Sequence, residues 1–456
     1  MKIVLIDARD TAYYPPVIAM PLGLCSLAAF LQHHIPECQI VIKEGYQSSA
    51  DDDADLVGIS TVSLFYPQAL SIAKNLKLTR PALPVVLGGI HITALPHTLD
   101  DAFDIGVIGE GEETFLELVR LFQGTGALPA DELGLVKGIA FHHGGKVIIT
   151  DPRPLIRPLD IIPPPKRDLL EETNRFILQQ TSRGCPFRCS FCALVGFNRT
   201  YRTFSPGYVV SELEENTRGK SFTELSLVDD LFSADIKRLE AIARMVKERG
   251  LHRKMSLGAT IRADLVREET LEILKSLHVA KVYIGLESGS DTTLGYLKKS
   301  TVTVAQNQRA LDLCYGAGIL VDGSFIIGAP YEEREDFKAT YEFIYHNYKA
   351  GKLATVRVAP LTPYPGSAVW EYAASRGLVG EDMDWGALEM SLGSFDPSRF
   401  IYLNEKIPRV EFVKFVEIFE DLTSSINRRF LRQIGIEEKY ATLDRGRVQR
   451  YMEKHS

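Results

Sequence analysis

The chain has 456 residues, of which 45% are hydrophobic and 24% are charged, a balance typical of globular proteins with large apolar cores. This composition excludes a mostly disordered, collagen-like or coiled-coil protein, and the length predicts roughly two to four domains. Lysine and arginine number 52 against 59 aspartate and glutamate residues, and the resulting net charge of −7 argues against a nucleic-acid partner.

The first 122 or so residues alternate between strand and helix patterns. Apolar, β-branched runs predict strands at 3–6, 40–42, 56–59, 85–87 and 105–108, and the segments between them predict helices at 22–32, 67–78, 94–101 and 113–122. This alternation predicts an α/β, Rossmann-like domain over residues 1–125, with a parallel sheet covered by helices on both faces. Ligands of such sheets bind at the carboxyl ends of the strands.

Residues 126–174 are predicted to form a hairpin followed by a linker. The two strands of the hairpin turn at Gly144-Gly145. Six of the 23 prolines lie within residues 151–165, a density that excludes helix and central strand and predicts a stiff linker.

A second alternation of strands and helices runs from about 175 to 361. The predicted strands are 176–181, 222–228, 255–260, 281–286, 320–327 and 354–359, and the predicted helices are 206–217, 235–248, 268–277, 304–316 and 333–348. Six such units with polar residues after many strands predict a partial (β/α)6 barrel of TIM type over 175–368. Apolar residues at three- and four-residue steps predict an α-helical C-terminal domain over 369–456.

Half of the six cysteines lie within eight residues, as Cys185, Cys189 and Cys192. Three thiolates at C-x3-C-x2-C spacing on the loop after the first barrel strand can hold one iron–sulfur cluster. A structural zinc ion would need a fourth ligand, and the nearest histidines (142, 143 and 252) are distant in sequence. Buried structural thiols are the third interpretation, and the one we expect for the scattered Cys25, Cys38 and Cys314.

The cysteine spacing, with Phe191 before the last cysteine, resembles the signature of radical S-adenosylmethionine (SAM) enzymes. This resemblance implies a catalytic [4Fe-4S] cluster bound by Cys185, Cys189 and Cys192, with one iron open to SAM. Segments at successive strand ends also resemble the family's SAM-binding motifs, namely 227–232, 259–264, 285–290, 325–330 and 360–367. The implied SAM contacts are Phe191, Asp229, Arg262, Glu287, Ser288, Ile327 and Leu361. Taken singly, Asp229 could instead cap a helix, and Glu287 could be a solvated loop acid.

The N-terminal sheet could bind a dinucleotide or a corrinoid, or form a receiver-like module. No G-x-G-x-x-G follows its first strand, which argues against a dinucleotide. Glycine-containing segments at 21–24, 58–61, 88–96 and 109–114 resemble the cobalamin-binding domain of cobalamin-dependent radical SAM enzymes. The implied cobalamin contacts are Ser60, Thr61, Leu64, Phe65, Tyr66, Gly88, Gly89, His91, Thr93, Gly109, Glu110, Gly111 and Glu112.

The D-x-H-x-x-G motif, which supplies a cobalt-binding histidine in other cobalamin domains, is absent here. Asp7 to Thr11 reads D-A-R-D-T. His91 is therefore either a substitute ligand or an ordinary hydrogen-bonding residue. Leu64, Phe65 or Tyr66 is expected to cover the lower face of the corrin instead.

The two resemblances together imply a methyltransferase. One SAM supplies the methyl group by way of cobalamin, and a second yields the 5′-deoxyadenosyl radical that removes hydrogen from an unactivated carbon. The implied substrate is a peptide, protein or small molecule, with C-methylation of a residue in methyl-coenzyme M reductase as one option, and the implied electron donor is a flavodoxin or ferredoxin. The alternatives are a non-methylating cyclase or oxidoreductase with the same cofactors, and a non-catalytic corrinoid or iron–sulfur sensor.

The last 90 residues carry aromatic and basic residues with two readings each. Aromatic side chains there could contact substrate or pack in the core, namely Trp370, Trp385, Phe395, Phe400 and Tyr402. Arginines at 428, 429, 432, 445, 447 and 450 form either a solvated helix face or a docking surface for an acidic protein.

The start, MKIVLID, lacks a signal-peptide pattern, and no apolar run is long enough to span a bilayer. We therefore expect a cytoplasmic monomer that does not bind membranes.

Overall fold

The computed structural model describes residues 1–10, 20–45, 53–170, 177–196, 200–389, 396 and 398–433. The chain forms two compact units. The first contains residues 1–178, 202–204 and 380–386, and the second contains 179–201, 205–379 and 387–456.

The first unit is built on a seven-stranded sheet with the order β2-β1-β3-β4-β5-β6-β7. Its strands are β1 (Lys2–Asp7), β2 (Gln39–Glu44), β3 (Leu56–Ser60), β4 (Val85–Gly88), β5 (Ile105–Val107), β6 (Ile139–His143) and β7 (Lys146–Ile149). The first five pair in parallel, as predicted, and β1 from Ile3 to Ile6 is fully buried between helix layers. The register aligns Asp7 with Ser60, and Ser60 with Gly88, so the carboxyl ends of these strands lie at one edge.

The helices of this unit are α1 (Leu22–His34), α2 (Tyr66–Thr79), α3 (Ile90–Ala94), α4 (Gly111–Thr125) and α5 (Ala130–Leu133). The predicted helix at 94–101 is wrong. The helical turns there are α3, which begins at Ile90, and a single 3-10 turn over Pro96–Thr98. Proline at position 96 has no N–H to continue α3, so the chain starts a new turn.

The predicted hairpin is confirmed and extends the N-terminal sheet, because β6 pairs antiparallel with β5 and β7 with β6. Residues 151–165 contain no α-helix or strand, only a 3-10 turn at Leu159–Ile161. Ile156, Leu159 and Ile162 are buried, so this segment packs against the first unit and is not a free spacer.

The second unit contains a six-stranded sheet with the order β15-β14-β13-β12-β11-β8. Its strands are β8 (Ile177–Gln179), β11 (Thr223–Leu227), β12 (Met255–Ile261), β13 (Val279–Glu287), β14 (Leu320–Ile327) and β15 (Thr355–Pro360). Two-residue strands, β9 (Ser182–Arg183) and β10 (Arg202–Thr203), lie between β8 and β11 in sequence. All six predicted barrel strands are present, and β11 to β15 pair in parallel.

The five helices predicted between the barrel strands are present, as α6 (Pro206–Thr217), α7 (Ile236–Glu248), α8 (Glu268–Ser276), α10 (Val304–Ala317) and α11 (Arg334–Lys349). The structure adds α9 (Asp291–Leu297), which was not predicted. In α7, the Asp235 side chain caps the helix at the Arg238 amide, and Leu239, Ile242 and Val246 form the buried stripe.

The C-terminal region is helical, with α12 (Ala368–Ala374) and α13 (Arg409–Gln433). The predicted apolar face of α13 is buried at Phe412, Val416 and Phe419. Asn427 of this helix donates to the Val356 carbonyl and accepts from its amide, which covers the edge of β15.

The aromatic residues of this region mostly pack in the interior. Trp370, Trp385 and Phe400 are buried and Tyr402 is half-buried, whereas Phe395 lies outside the described residues. The side chain of Arg432 and the arginines at 445, 447 and 450 also lie outside them. In the part of the chain that the structure describes, no helix is long and apolar enough to cross a membrane.

Candidate functional site

The cysteine loop begins where the first barrel strand ends, and three hydrogen bonds hold it to neighbouring segments. The Gly184 amide donates to Asp230 Oδ2 at 2.9 Å. The Ser190 amide donates to the Leu297 carbonyl at 2.9 Å, and the Val369 amide donates to the Ser190 carbonyl at 3.1 Å. These bonds position the loop at the carboxyl ends of the strands.

The three cysteines of this loop are half-buried and unoxidised. Burial raises the pKa of Cys192 to about 11, and the nearby Cys189 and Cys185 thiols add to this effect. Burial also raises the pKa of Cys185. Three thiolates so close together need a bound cation, and iron is a preferred partner of such sulfur ligands.

Arg262, at the end of β12, is the side chain that contacts this loop most directly. Its Nη1 lies 3.5 Å from Cys189 Sγ, and its guanidinium lies 3.7 Å from the centre of the Phe187 ring. Asp264 and Thr301 accept from its other nitrogens at 2.7 and 2.5 Å. The guanidinium is thus held rigidly beside a predicted cluster ligand.

Replacing Arg262 with methionine should lower the reduction potential of the reconstituted cluster. An N–H donated to a cluster sulfur stabilises the more negative, reduced state, so its loss should shift the potential down by roughly 50 mV. Redox titration followed by electron paramagnetic resonance measures this. Arg188→Met, which removes an exposed arginine of the same loop, is the control, and equal shifts in both variants would contradict the role.

The two adjacent aspartates that follow β11, Asp229 and Asp230, have different hydrogen-bond partners. Asp229 is buried and accepts from the Thr181 amide at 2.9 Å and from Ser182 Oγ at 2.6 Å. Burial raises the pKa of Asp229 to about 6. Its oxygens brace the start of the cysteine loop, and the contact of Asp229 with SAM stays a prediction. Asp230, which sequence reasoning did not single out, is the one that bonds to Gly184.

Glu287 and Ser288 end β13 in different environments. Glu287 has a left-handed backbone with φ of 62°, and its Oε1 lies 2.8 Å from Nζ of Lys298. Both side chains are buried, and Lys298 also lies 5.7 Å from the Phe191 ring centre. Strained backbone of this kind concentrates at functional sites. Ser288, by contrast, points inward and bonds to Thr340 Oγ1 at 2.9 Å, so it braces the turn.

Ile327 and Leu361 lie side by side at the ends of β14 and β15. The Leu361 amide donates to the Ile327 carbonyl at 2.7 Å, and both side chains are buried. Both residues lie at the same edge of the sheet as Glu287.

Glu332 stabilises the turn that follows Ile327, a role not visible in the sequence. Its Oε2 accepts from the Gly328 and Ala329 amides at 2.5 and 3.0 Å, while Oε1 is buried without a hydrogen bond. Burial raises the pKa of Glu332 to about 8.

The Glu332 carboxyl should make stability depend on pH. It binds its proton more tightly in the folded protein than in the unfolded chain, where its pKa is near 4.5, so folded stability falls as pH rises from 4.5 through about 8. Glu332→Gln keeps the acceptor oxygen and removes the titration. Between pH 5 and 8, wild type should lose roughly 2–4 kcal/mol relative to this variant in urea denaturation, and parallel curves would contradict the assignment.

A cleft of about 190 Å³ opens at the carboxyl ends of the N-terminal strands. Six predicted cobalamin contacts line it, namely Ser60, Gly88, Gly89, Gly109, Gly111 and Glu112. Gly89 has a φ of 98°, and a Cβ there would lie 2.3 Å from the Thr61 carbonyl oxygen, so only glycine fits. The walls are otherwise apolar, with Leu5 and Phe115, so the cleft can hold an apolar part of a larger ligand.

Three other predicted contacts hold the loops around this cleft. Thr93 Oγ1 accepts from the Gly109 amide at 3.0 Å, and Thr61 Oγ1 donates to the Val62 carbonyl at 3.0 Å. Glu110 forms two hydrogen bonds with Arg202, both 2.9 Å long, and accepts from the Ile156 amide. These side chains brace the loops.

In the structure, His91 is a hydrogen-bonding residue. It is fully buried, with Nδ1 3.0 Å from Ser63 Oγ and Nε2 3.0 Å from Thr98 Oγ1, so neither ring nitrogen is available to cobalt. Its ring stacks on Tyr66 at 3.9 Å and meets Trp385 edge-on at 4.8 Å, and burial lowers its pKa to about 3. Tyr66 is buried beside it.

Leu64 and Phe65 remain the candidates for covering the corrin. They are half-buried on the 3-10 turn Ser63–Phe65 that follows β3.

Comparison with known proteins matches the N-terminal segment and the barrel segment to two known families. Residues 15–119 match the model of the B12 binding domain, and residues 180–344 match that of the radical SAM superfamily. An uncharacterized methyltransferase of Pyrococcus horikoshii is 33% identical over 411 residues, covering 84% of this chain and 85% of the relative. The chain belongs to the cobalamin-dependent radical SAM methyltransferases.

Other relatives of this cobalamin-dependent radical SAM protein differ in activity. The anaerobic magnesium-protoporphyrin IX monomethyl ester cyclase of Cereibacter sphaeroides is 30% identical over 355 residues, 73% of this chain and 57% of the cyclase. The radical SAM methyltransferase TsrM of Kitasatospora setae, solved with tryptophan and a SAM analogue, has a TM-score of 0.69 at 17% identity over 91% of this chain and 88% of TsrM. The TsrM match shows a shared fold. The cofactors of the family are a [4Fe-4S] cluster, SAM and cobalamin.

Proposed function

We propose that this enzyme methylates an unactivated sp3 carbon of a peptide, protein or small-molecule substrate. The observation that carries the proposal is the group of charged residues around the cysteine loop, in which Arg262 contacts Cys189 and Lys298, paired with Glu287, lies 5.7 Å from the Phe191 ring. When bound, the cluster and SAM supply a 5′-deoxyadenosyl radical, and cobalamin carries the methyl group. The methyltransferase relative that covers most of the chain supports this chemistry.

Different residues of the chain bind the cluster, SAM and cobalamin. Cys185, Cys189 and Cys192 hold the cluster, while Arg262 orients that loop. Glu287 and Lys298 present charges suited to the ribose hydroxyls and carboxylate of SAM, and Ile327 and Leu361 present an apolar surface suited to adenine. The glycine-lined cleft of the first unit holds cobalamin.

The compartment and the electron donor follow from this chemistry. An oxygen-sensitive cluster needs a reducing compartment, so we place the enzyme in the cytoplasm with a flavodoxin or ferredoxin as electron donor.

A product assay with methyl-labelled SAM tests the function. The reconstituted holoenzyme is incubated with peptide and small-molecule fractions of cell extract, and products are read by mass spectrometry. A methyltransferase forms S-adenosylhomocysteine and 5′-deoxyadenosine in about equal amounts and labels a product, since one SAM is consumed for each role. Cys189→Ala should form no deoxyadenosine.

The second candidate is a cyclase-type reaction, which the magnesium-protoporphyrin relative favours. It would form deoxyadenosine without S-adenosylhomocysteine and leave the products unlabelled. That result would overturn the methyltransferase proposal.

A further inference from the structure

We propose that the concave face of the barrel sheet binds an anionic group of the substrate, a carboxylate or a phosphate, through Lys281 and Arg357. This inference rests on the proposed function, because it names the substrate class of that same enzyme. All residues involved belong to the second unit.

Strand alternation decides which side chains face the concave side. Phe325 of β14 is buried against Phe343 of α11, so odd-numbered residues of β14 face the outer helices and Ser324 faces the opposite way. In the register, Ser324 pairs with Arg357 of β15. Arg357 therefore points into the barrel.

The same register places one aromatic ring close to both cations. Tyr283 pairs with Asp322, two residues before Ser324, and so shares the concave face. Its ring centre lies 4.7 Å from Nζ of Lys281 and 5.8 Å from Cζ of Arg357. Both cations thus lie near one tyrosine on the concave face.

Glycine at position 258 makes room for this arrangement. A Cβ there would lie 3.1 Å from the Tyr283 ring and 3.2 Å from Ser226 Oγ. The ring crosses over Gly258, and its hydroxyl reaches Ser226 at 3.3 Å. The tyrosine, and with it the spacing of the cations, is fixed by this contact.

Both cations have donors left for a ligand. Within the described residues, Lys281 has no carboxylate in ion-pair range. The Arg357 side chain is 62% exposed, and its ion partner Asp322 lies 3.3 Å from Nη2 without forming a hydrogen bond through Oδ1. A guanidinium has five N–H donors in a planar fork, which suits two-point binding of a carboxylate or phosphate. Glu224, exposed near the start of β11, is a further acid on this face.

The position of the two cations along their strands sets the distance that the substrate must span. Tyr283 and Arg357 each precede a strand-end residue, Glu287 and Leu361, by four positions. At about 3.3 Å per residue, the anion lies roughly 13 Å below the edge where SAM is proposed to bind. The substrate therefore extends over that distance between its anionic group and the carbon attacked.

Matched aromatic probes test the inference. The reconstituted holoenzyme is titrated by calorimetry with 4-phenylbutanoate, 2-phenylethyl phosphate and the neutral 4-phenylbutanamide. We expect one or both acids to bind about tenfold or more tightly than the amide, and the preferred acid distinguishes carboxylate from phosphate. Lys281→Gln and Arg357→Gln should each weaken that acid about tenfold, while Arg357→Lys, which keeps the charge but not the planar fork, should weaken it less than Arg357→Gln does.

The controls remove cations in similar contacts elsewhere. Lys349 lies 5.4 Å from the Tyr345 ring and Arg429 lies 5.9 Å from the Tyr348 ring, so Lys349→Gln and Arg429→Gln should leave acid binding unchanged. Equal binding of acids and amide, or full acid binding by the Lys281→Gln/Arg357→Gln double variant, would overturn the inference.

The same samples are assayed for S-adenosylhomocysteine and deoxyadenosine. If wild type forms both but does not distinguish acid from amide, the substrate inference alone fails. If wild type forms neither, the proposed function fails, whatever the probes show.

Discussion

Replacing Cys189 with alanine is expected to remove the iron–sulfur cluster and reduce deoxyadenosine formation to background. In the proposed assignment the cluster depends on all three thiolates of the loop, so loss of one should prevent its stable binding. Iron analysis and visible absorbance of the reconstituted protein measure the loss. Cys185→Ala and Cys192→Ala should behave alike.

Cys314→Ala is the matched control for this prediction. Cys314 is fully buried within α10 and lies outside the cysteine loop, so we expect it to be a structural thiol. Its removal should leave iron content unchanged. A Cys189→Ala protein that retained the cluster would contradict the assignment of the loop.

Replacing Arg202 with methionine is expected to destabilise the first unit by about 3–5 kcal/mol. Its side chain is 4% exposed and forms a two-point ion pair with Glu110, which is 14% exposed. Removing one partner of a buried pair leaves the other charge buried and uncompensated. Because Glu110 immediately precedes Gly111 in the cleft wall, cobalamin affinity should fall as well.

Tryptophan fluorescence during urea denaturation can measure this loss. The chain has two tryptophans, and Trp385 lies in the first unit, so Trp370→Phe leaves a reporter for that unit. The control is Arg218→Met, which breaks an exposed pair with Glu215 and should change stability by less than about 1 kcal/mol. The double variant Glu110→Gln/Arg202→Met should recover part of the lost stability. Equal effects of Arg202→Met and Arg218→Met would show that the pair is not a stabilising contact.

Most of the fold could be predicted because it depends on local patterns. The six barrel strands and five of the helices between them follow the periodicity of apolar residues, which sheet and helix packing impose directly. The helix predicted at 94–101 does not form, because Pro96 interrupts the helical pattern after α3.

The candidate site was predictable only where its chemistry is local in sequence. The cysteine spacing identified a cluster loop, since three ligands within eight residues must lie together in any fold. The choice between Asp229 and Asp230 could not be made, because neighbouring side chains point in opposite directions and the register decides which meets Gly184.

By itself, the sequence determined the fold class, the strand-end positions and the residue types that bind the family's cofactors. The tertiary structure decided the roles of particular side chains. It turned His91 inward onto Ser63 and Thr98, and it joined Glu110 to an arginine 92 residues away. It also brought Lys281 and Arg357 close to one tyrosine ring. The physical reason is that a side chain's charge and hydrogen bonds depend on neighbours that only the packed chain brings within a few ångströms.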